Sequence, residues 1–192
     1  PAMFADRLPT LESPRLRLRW LERRDVDDLY AVFSDREVMR YWPWPAYTER
    51  AQAEALLAEI EALFREGHLY QWGVVRREDD RVIGTITLSS IDRTHLRAKL
   101  GCALSRAHWG RGFAVEAAGR LLDFAFGPLG LHRIEADVDP RNVHSLRLLE
   151  RLGFVREGLL RERWRVGGEV QDGALYGLLA REWGGASPTV SG

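Results

Sequence analysis

Leu16, Leu18 and Trp20 alternate with Arg15, Arg17 and Arg19, the period-two pattern of a half-buried strand. A helical period replaces it at Val26, Leu29, Tyr30 and Phe33. Asp25, Asp27 and Asp28 open that helix, where the dipole favours negative charge. Trp42-Pro43-Trp44-Pro45 breaks the pattern, because proline removes donors and restricts the residue before it. Ala53, Leu56, Leu57, Ile60 and Phe64 then form a second apolar helical stripe, closed by Gly67.

From Gln71 the period returns to two. Gln71 to Arg76 and Arg81 to Ser89 read as strands joined by the turn Glu78-Asp79-Asp80. A third strand runs from Lys99 to Ser105, with Leu100, Cys102 and Leu104 on one face. Gly110 and Gly112 lead into a helix through Phe126, which Gly127-Pro128 stops. Ile134, Ala136 and Val138 mark another strand, and Asn142 to Leu152 a short helix ended by Gly153. Phe154 to Val166 and Glu169 to Ala180 are two last strands, meeting at the hairpin signal Gly167-Gly168. The order β-α-α-β-β-β-α-β-α-β-β predicts an α/β fold, a mixed sheet with few helices in one domain. Its expected limits are 14–183, after an N-terminal extension (1–13) and before a loose tail (184–192).

Composition narrows the function. The 192 residues carry 28 basic and 28 acidic side chains, so there is no net charge, which argues against a general nucleic-acid binder. The longest apolar run, Leu29 to Phe33, falls far short of the roughly 20 residues of a membrane span. Nothing at the start reads as a secretory signal, and a cytoplasmic location is expected. Cys102 is the lone cysteine, and His68, His95, His108, His132 and His144 lack a metal spacing, so no metal site is expected. Lys99 is the one lysine; the other 27 basic residues are arginines, spread along the whole chain. Pro1 and Ala2 precede Met3, the natural start, and read as an expression remnant.

The segment from Leu104 to Ala114, with Trp109-Gly110-Arg111-Gly112-Phe113 at its centre, is a strand, a glycine-bearing loop and a helix start. Helix N-termini present unpaired N–H groups and partial positive charge, so they attract phosphate. Glycines allow close approach, and Arg111 could add a charge-assisted bond. An ordinary strand-to-helix turn would use the same glycines. A P-loop is excluded, since Gly110-Arg111-Gly112 offers neither the lysine nor the hydroxyl. A dinucleotide fingerprint lacks its third glycine, where Val115 stands.

A second segment, Asn142-x-x-Ser145 followed by Leu152-Gly153-Phe154, completes a pair. Together the two resemble the Gcn5-related N-acetyltransferases (GNAT), specifically the branch like the ribosomal-protein N-terminal acetyltransferases RimJ and RimL. Trp109-Gly110-Arg111-Gly112-Phe113-Ala114 matches that branch's W-G-x-G-x-A, and Asn142-x-x-Ser145…Leu152-Gly153-Phe154 its N-x-x-S…L-G-F. The resemblance covers about Pro14 to Trp183.

It implies a mostly antiparallel sheet whose middle strands splay, the strand ending near Leu104 carrying a bulge. The gap would take the pantetheine of acetyl-CoA as an added strand. The implied cofactor-binding residues are Leu104, Trp109, Gly110, Arg111, Gly112, Phe113, Ala114, Asn142 and Ser145, with the diphosphate on the amides of the loop. The acetyl group is expected to pass directly to an amine. Relatives often use a tyrosine where this chain has Leu149, so Ser145 is the expected donor to the departing sulfur; it could equally bond the helix backbone. The base is open: no acid lies between Lys99 and Ser105, while Asp172, in Gly168-x-x-x-Asp172-x-x-x-Tyr176, matches a frequent family acid or bridges the hairpin. Trp42, Trp44 and Tyr176 are expected to line the acceptor site, although Trp42-Pro43-Trp44 would also suit core and turn.

The expected activity is acetyl transfer from acetyl-CoA to a primary amine, favouring a protein or peptide N-terminus. A small amine (amino acid, polyamine or antibiotic) is the chief alternative, and a non-catalytic acyl-CoA sensor the rival of another class. No nucleic-acid or membrane partner is expected, and the chain is a monomer or homodimer.

Overall fold

The computed structural model describes residue 4 and residues 6–184; Pro1, Ala2 and all but the first residue of the expected tail lie outside the described residues. Eight strands make one sheet: β1 (Leu11–Glu12), β2 (Leu16–Arg19), β3 (Leu69–Arg76), β4 (Val82–Asp92), β5 (Arg97–Leu104), β6 (Arg133–Val138), β7 (Val155–Val166) and β8 (Glu169–Leu179). Their spatial order is β1-β2-β3-β4-β5-β6-β8-β7. Helices α1 (Val26–Phe33) and α2 (Arg50–Glu66) join β2 to β3. Helix α3 (Phe113–Phe126) follows β5, and α4 (Val143–Arg151) follows β6. Every neighbouring pair is antiparallel except β5–β6.

Alternation along the strands feeds two cores, one on each face. Tyr70, Trp72 and Val74 of β3 pack with Ile86 and Leu88 of β4 against Ala117, Leu121 and Leu122 of α3. Val75 and Ala103 face the other way, onto Leu29, Val32 and Phe33 of α1 and Leu57 and Ile60 of α2. Each fully buried leucine or isoleucine contributes about 1.5–3 kcal/mol relative to exposure.

The N-terminal boundary needs correction. Residues 1–13 were expected as an extension, yet Leu8 and Leu11 are buried, and β1 pairs with β2. Phe4 packs against Tyr70 and Phe124, with ring centroids 5.6 and 6.0 Å away. Trp72 Nε1 donates to the Pro9 carbonyl at 2.9 Å. A two-residue strand is too short to show a period, so its pattern is silent.

The sheet splays as expected, but for a different reason. Only Arg97, Ala98 and Lys99 of β5 pair with β6, at Arg133, Ile134 and Glu135. Beyond them β5 stays on β4 in unbroken register from Lys99 to Leu104, and β6 stays on β8 out to Val138. The bulge foreseen in the strand ending at Leu104 is absent there. The register shift falls in β4 between Ser89 and Asp92, where Ser90 takes φ +49°. Divergence therefore comes from each middle strand keeping its own antiparallel partner.

At the far edge, Gly167 and Gly168 both take positive φ (+56° and +86°), the conformation of a tight hairpin turn. The β7–β8 ladder shifts register again between Leu160 and Trp164, around Glu162 with φ +54°.

One buried ion pair fixes the start of α1. Arg19 donates to both oxygens of Asp25, at 2.8 and 2.9 Å, and Asp25 also accepts the Glu22 N–H at 2.8 Å. The two side chains are only 10% and 4% exposed. Burial alone would push the Asp25 carboxyl up, but the Arg19 guanidinium and the Glu22 N–H outweigh it and hold it below the usual range. The alternation had placed Arg19 on a polar face; this pairing is what lets it be buried.

Removing one partner strands the other charge in the interior, so Arg19→Ala should cost about 3–5 kcal/mol in urea unfolding. Because the folded carboxyl is the more acidic, its contribution is complete above the unfolded pKa of about 4 and disappears as pH falls through the folded value. Asp25→Asn should therefore flatten the acid limb of the stability–pH curve. An unchanged acid limb would remove Asp25 from the account.

Candidate active site

The site assembles where β5 and β6 part. After Leu104 the chain makes a short turn, Arg106–His108, and Trp109 Nε1 donates back to the Leu104 carbonyl at 2.9 Å. Gly110 and Gly112 take φ +72° and +75°, left-handed conformations that glycine adopts without a Cβ penalty. A Cβ on Gly110 would meet nothing within 4 Å, so the loop is open. Helix α3 then begins, and the Glu116 N–H is the one taken by the Gly112 carbonyl, at 3.1 Å. The amides of Phe113, Ala114 and Val115 therefore have no intrahelical acceptor.

Helix α4 begins across the gap. Asn142 is its N-cap, and its Oδ1 accepts the Ser145 N–H at 3.2 Å. That uses the amide oxygen and leaves the NH₂ group available. Among the described residues no hydrogen bond engages Ser145 Oγ, so it does not bond the helix backbone. Leu149, one turn on, is buried in the core.

A cavity of ≈ 620 Å³ lies between these elements and the segment after α1. Leu104, Trp109, Gly110, Gly112, Phe113, Ala114, Asn142, Ser145 and Trp42 all line it, as the sequence reading grouped them. Four expected residues do not. Arg111 has an exposed side chain outside the cavity wall, and Trp44 stands 41% exposed against Trp42, with ring centroids 4.9 Å apart. Tyr176 is buried in the core on β8, paired with Ala136, so it cannot face an acceptor. Asp172 sits beside Leu159 and Leu160 at a separate hollow of the hairpin, where its Oδ1 accepts the Glu162 N–H at 2.7 Å. It satisfies the backbone of the bulge there, which is the cross-hairpin alternative.

Several lining residues went unread. Tyr41 and Glu37 come from the segment after α1, and Arg147 and Arg151 from α4. Guanidiniums of Arg40 and Arg141 lie 5.1 and 5.3 Å from the Tyr41 ring centre. Glu37 is the single carboxylate on the cavity wall among the described residues. With 27 arginines in the chain, no individual one gave a signal; the spacing Arg147-x-x-x-Arg151 on one helix face could have.

Two groups of the cavity wall, Cys102 and His108, are biased toward their neutral forms. Burial pushes the Cys102 thiol up to about 12, so it is no thiolate nucleophile. Burial, with the charges of Arg76 and Arg111, lowers the His108 imidazole, whose buried Nδ1 has no hydrogen-bond partner among the described residues. Open amides at the start of α3, the unladdered β5 edge and this free ring nitrogen suit a long ligand with an anionic end and amides along its length.

A family model described as "Acetyltransferase (GNAT) domain" matches residues 15–155. An uncharacterized N-acetyltransferase, p20, of Bacillus licheniformis is 40% identical over 93% of this chain and 100% of its own. The solved spermidine N-acetyltransferase of Vibrio cholerae, in complex with CoA and spermine, superposes with TM-score 0.78 at 29% identity, covering 88% of this chain and 98% of that one. A ribosomal-protein-S5-alanine acetyltransferase from Vibrio fischeri shares the fold, with TM-score 0.77 at 24% identity, over 91% and 98% of the two chains.

Asn142→Ala removes the cap of a nine-residue helix and should cost about 1 kcal/mol of stability. Asn142→Ser, which keeps an acceptor, should recover most of it in thermal unfolding. Equal losses in both would mean that the capping bond is not what holds α4.

Proposed function

This chain belongs to the GNAT acetyltransferases, and from that premise we propose that it acetylates the N-terminal amine of a protein or peptide, as the RimJ/RimL-like branch does. It is an acetyl-CoA-dependent N-acetyltransferase, and acetyl-CoA supplies the acetyl group as a thioester. The finer reading rests on the charge of the acceptor end. One carboxylate, Glu37, stands there beside Tyr41 and Trp42, with Arg40 and Arg141 flanking the Tyr41 ring. That wall suits an acceptor with a single ammonium and neighbouring carbonyl groups; a polyamine, with several cations, would call for several carboxylates.

The same poverty of acids bears on the chemistry. An amine attacks only as the free base. An α-amino group has a pKa of about 8 and is partly free near neutrality, whereas an alkylamine such as lysine's is near 10.4. A site without a strong base therefore favours an N-terminal amine.

In this reading the Gly110, Gly112, Phe113 and Ala114 amides hold the diphosphate, and the β5 backbone from Leu100 to Leu104 pairs with the pantetheine amides. Asn142 NH₂ holds the pantetheine arm or an ordered water. Trp42 and Trp44 form the acceptor wall, Trp44 acting from outside the cavity through its packing on Trp42. Ser145 Oγ, free of other bonds among the described residues, hydrogen-bonds to the sulfur as the C–S bond breaks and the new C–N bond forms; the proton the amine sheds passes to solvent, from which the departing thiolate is protonated. Stabilisation confined to the transition state lowers turnover without weakening binding.

Similarity to the spermidine N-acetyltransferase supports a second reading, acetylation of a small polyamine. A panel of peptides with free N-termini, beside spermidine and amino acids, separates the two by CoA release and mass-spectrometric localisation. The expected outcome is a kcat/KM for the best peptide at least tenfold above that for spermidine; the reverse order would overturn the N-terminal reading.

Ser145→Ala should lower the single-turnover rate by about 10²-fold, within the usual range for a positioned donor. Acetyl-CoA affinity should move less than about threefold, under about 0.7 kcal/mol. A folded variant with the wild-type rate would strip Ser145 of this role.

A further inference from the structure

We infer that Arg15, almost one hundred residues away in sequence, is a positioning residue for the diphosphate loop. The inference rests on the reading of Gly110 to Ala114 as the diphosphate site. Arg15 leaves the turn before β2, and its Nη1 donates to the Arg111 carbonyl at 2.9 Å. Its guanidinium lies over the Phe113 ring, 4.3 Å from the centre. Nη2 stands 3.4 Å from where a Cβ on Gly112 would be. One side chain thus touches three successive residues where the loop becomes α3.

Glu116 anchors that side chain from the first turn of α3. Its Oε1 accepts Arg15 Nε at 2.8 Å; its Oε2 accepts the Arg15 N–H at 2.9 Å and Ser13 Oγ at 2.6 Å. Burial would raise the Glu116 carboxyl, but these donors outweigh it and keep it ionised. The charge pair is internally matched, so the contribution of Arg15 to an anion is geometric. In a trans peptide the C=O and N–H point to opposite sides. With the Arg111 carbonyl held by Arg15, the following Gly112 N–H must point away from Arg15, and Gly112 lines the cavity. A loop with two left-handed glycines has many alternatives to this orientation; Arg15 removes them. The fork is essential, because a single ammonium cannot bond Glu116 and the Arg111 carbonyl in this geometry at once.

The experiment compares two acetyl donors in Arg15→Ala, Arg15→Lys and Arg15→Gln: acetyl-CoA, and S-acetylpantetheine, which lacks the diphosphate. The kcat/KM ratio of the first donor to the second should fall about tenfold in all three variants. Acetyl-CoA KM should rise more than kcat falls, and calorimetry should show CoA binding weakened by a similar factor. Arg15→Gln is the milder change and keeps the experiment decisive if Arg15→Ala unfolds. Equal losses with both donors, unchanged CoA affinity, or full rescue by Arg15→Lys would each overturn the inference. Gly112→Glu, which places a negative side chain at the loop, should weaken CoA by more than tenfold. If Gly112→Glu binds CoA normally, the diphosphate reading itself is lost; if only the Arg15 variants do, the loop stands and Arg15 is not its clamp.

Discussion

Only three parallel register pairs among the described residues, Arg97 to Lys99 with Arg133 to Glu135, ladder the two halves of the sheet together, with the Leu96 carbonyl accepting from the His132 and Arg133 N–H groups beside them. On either side the ladders are antiparallel and longer, and parallel pairing is slightly the weaker per residue. The middle contact therefore yields first, and the two halves part. Strand β5 then carries α3 from its end and the parallel β6 carries α4, so both helices begin at the same end of the gap, one on each side of it. Their partial positive ends and the unladdered β5 backbone converge without any charged side chain being required. Backbone groups left unpaired away from water are costly, and a ligand bearing amides and phosphates is a natural partner for them.

What the sequence made legible is what is local. Gly110 and Gly112 announce a loop that needs glycine dihedrals, and it lies where the pattern put it; Asn142, read as opening a short helix, does so as its N-cap, a role the sequence reading had not assigned. Long strands and helices showed their periods, with ends within a few residues. What stayed hidden depends on contacts distant in sequence. Strand β1 is too short to have a period, and Arg19 changes from surface to interior because Asp25 meets it. Asp172 and Tyr176 sat in a recognisable pattern, yet the pattern could not say which face of β8 each would take or whether a bulge at Glu162 would claim the acid. The clamp through Arg15 was unreadable for the same reason, being one arginine of 27.

Overall charge balance hides a local imbalance. Apart from Glu37, the acids flanking β6 near the gap are already matched: Asp139 and Glu169 hold Arg141, Asp137 holds Arg163, and Glu135 and Glu157 hold Arg133. Arg147 and Arg151, on the cavity wall, have no ion-pair partner among the described residues. A chain with no net charge can in this way present a positive field at one mouth, which concentrates an anionic ligand there. Counting charges over the whole sequence was informative about nucleic acid and silent about this.

The acid-poor cavity and the missing phenol are parts of one arrangement. Cys102 is a neutral thiol and His108 a ring held neutral, so neither competes as a nucleophile or a strong base. In the proposed reading, transfer then depends on an amine already partly deprotonated and on a donor for the sulfur. At Leu149 a tyrosine would sit beyond the first turn of α4, where the helix-end field has faded. Ser145 sits within that first turn, beside the N-cap, so in the role proposed for it the hydroxyl would act where the positive end of the helix already favours developing thiolate charge. A weak acid in a favourable field can take the place of a stronger one a turn farther along, which is the physical case for the role proposed for Ser145.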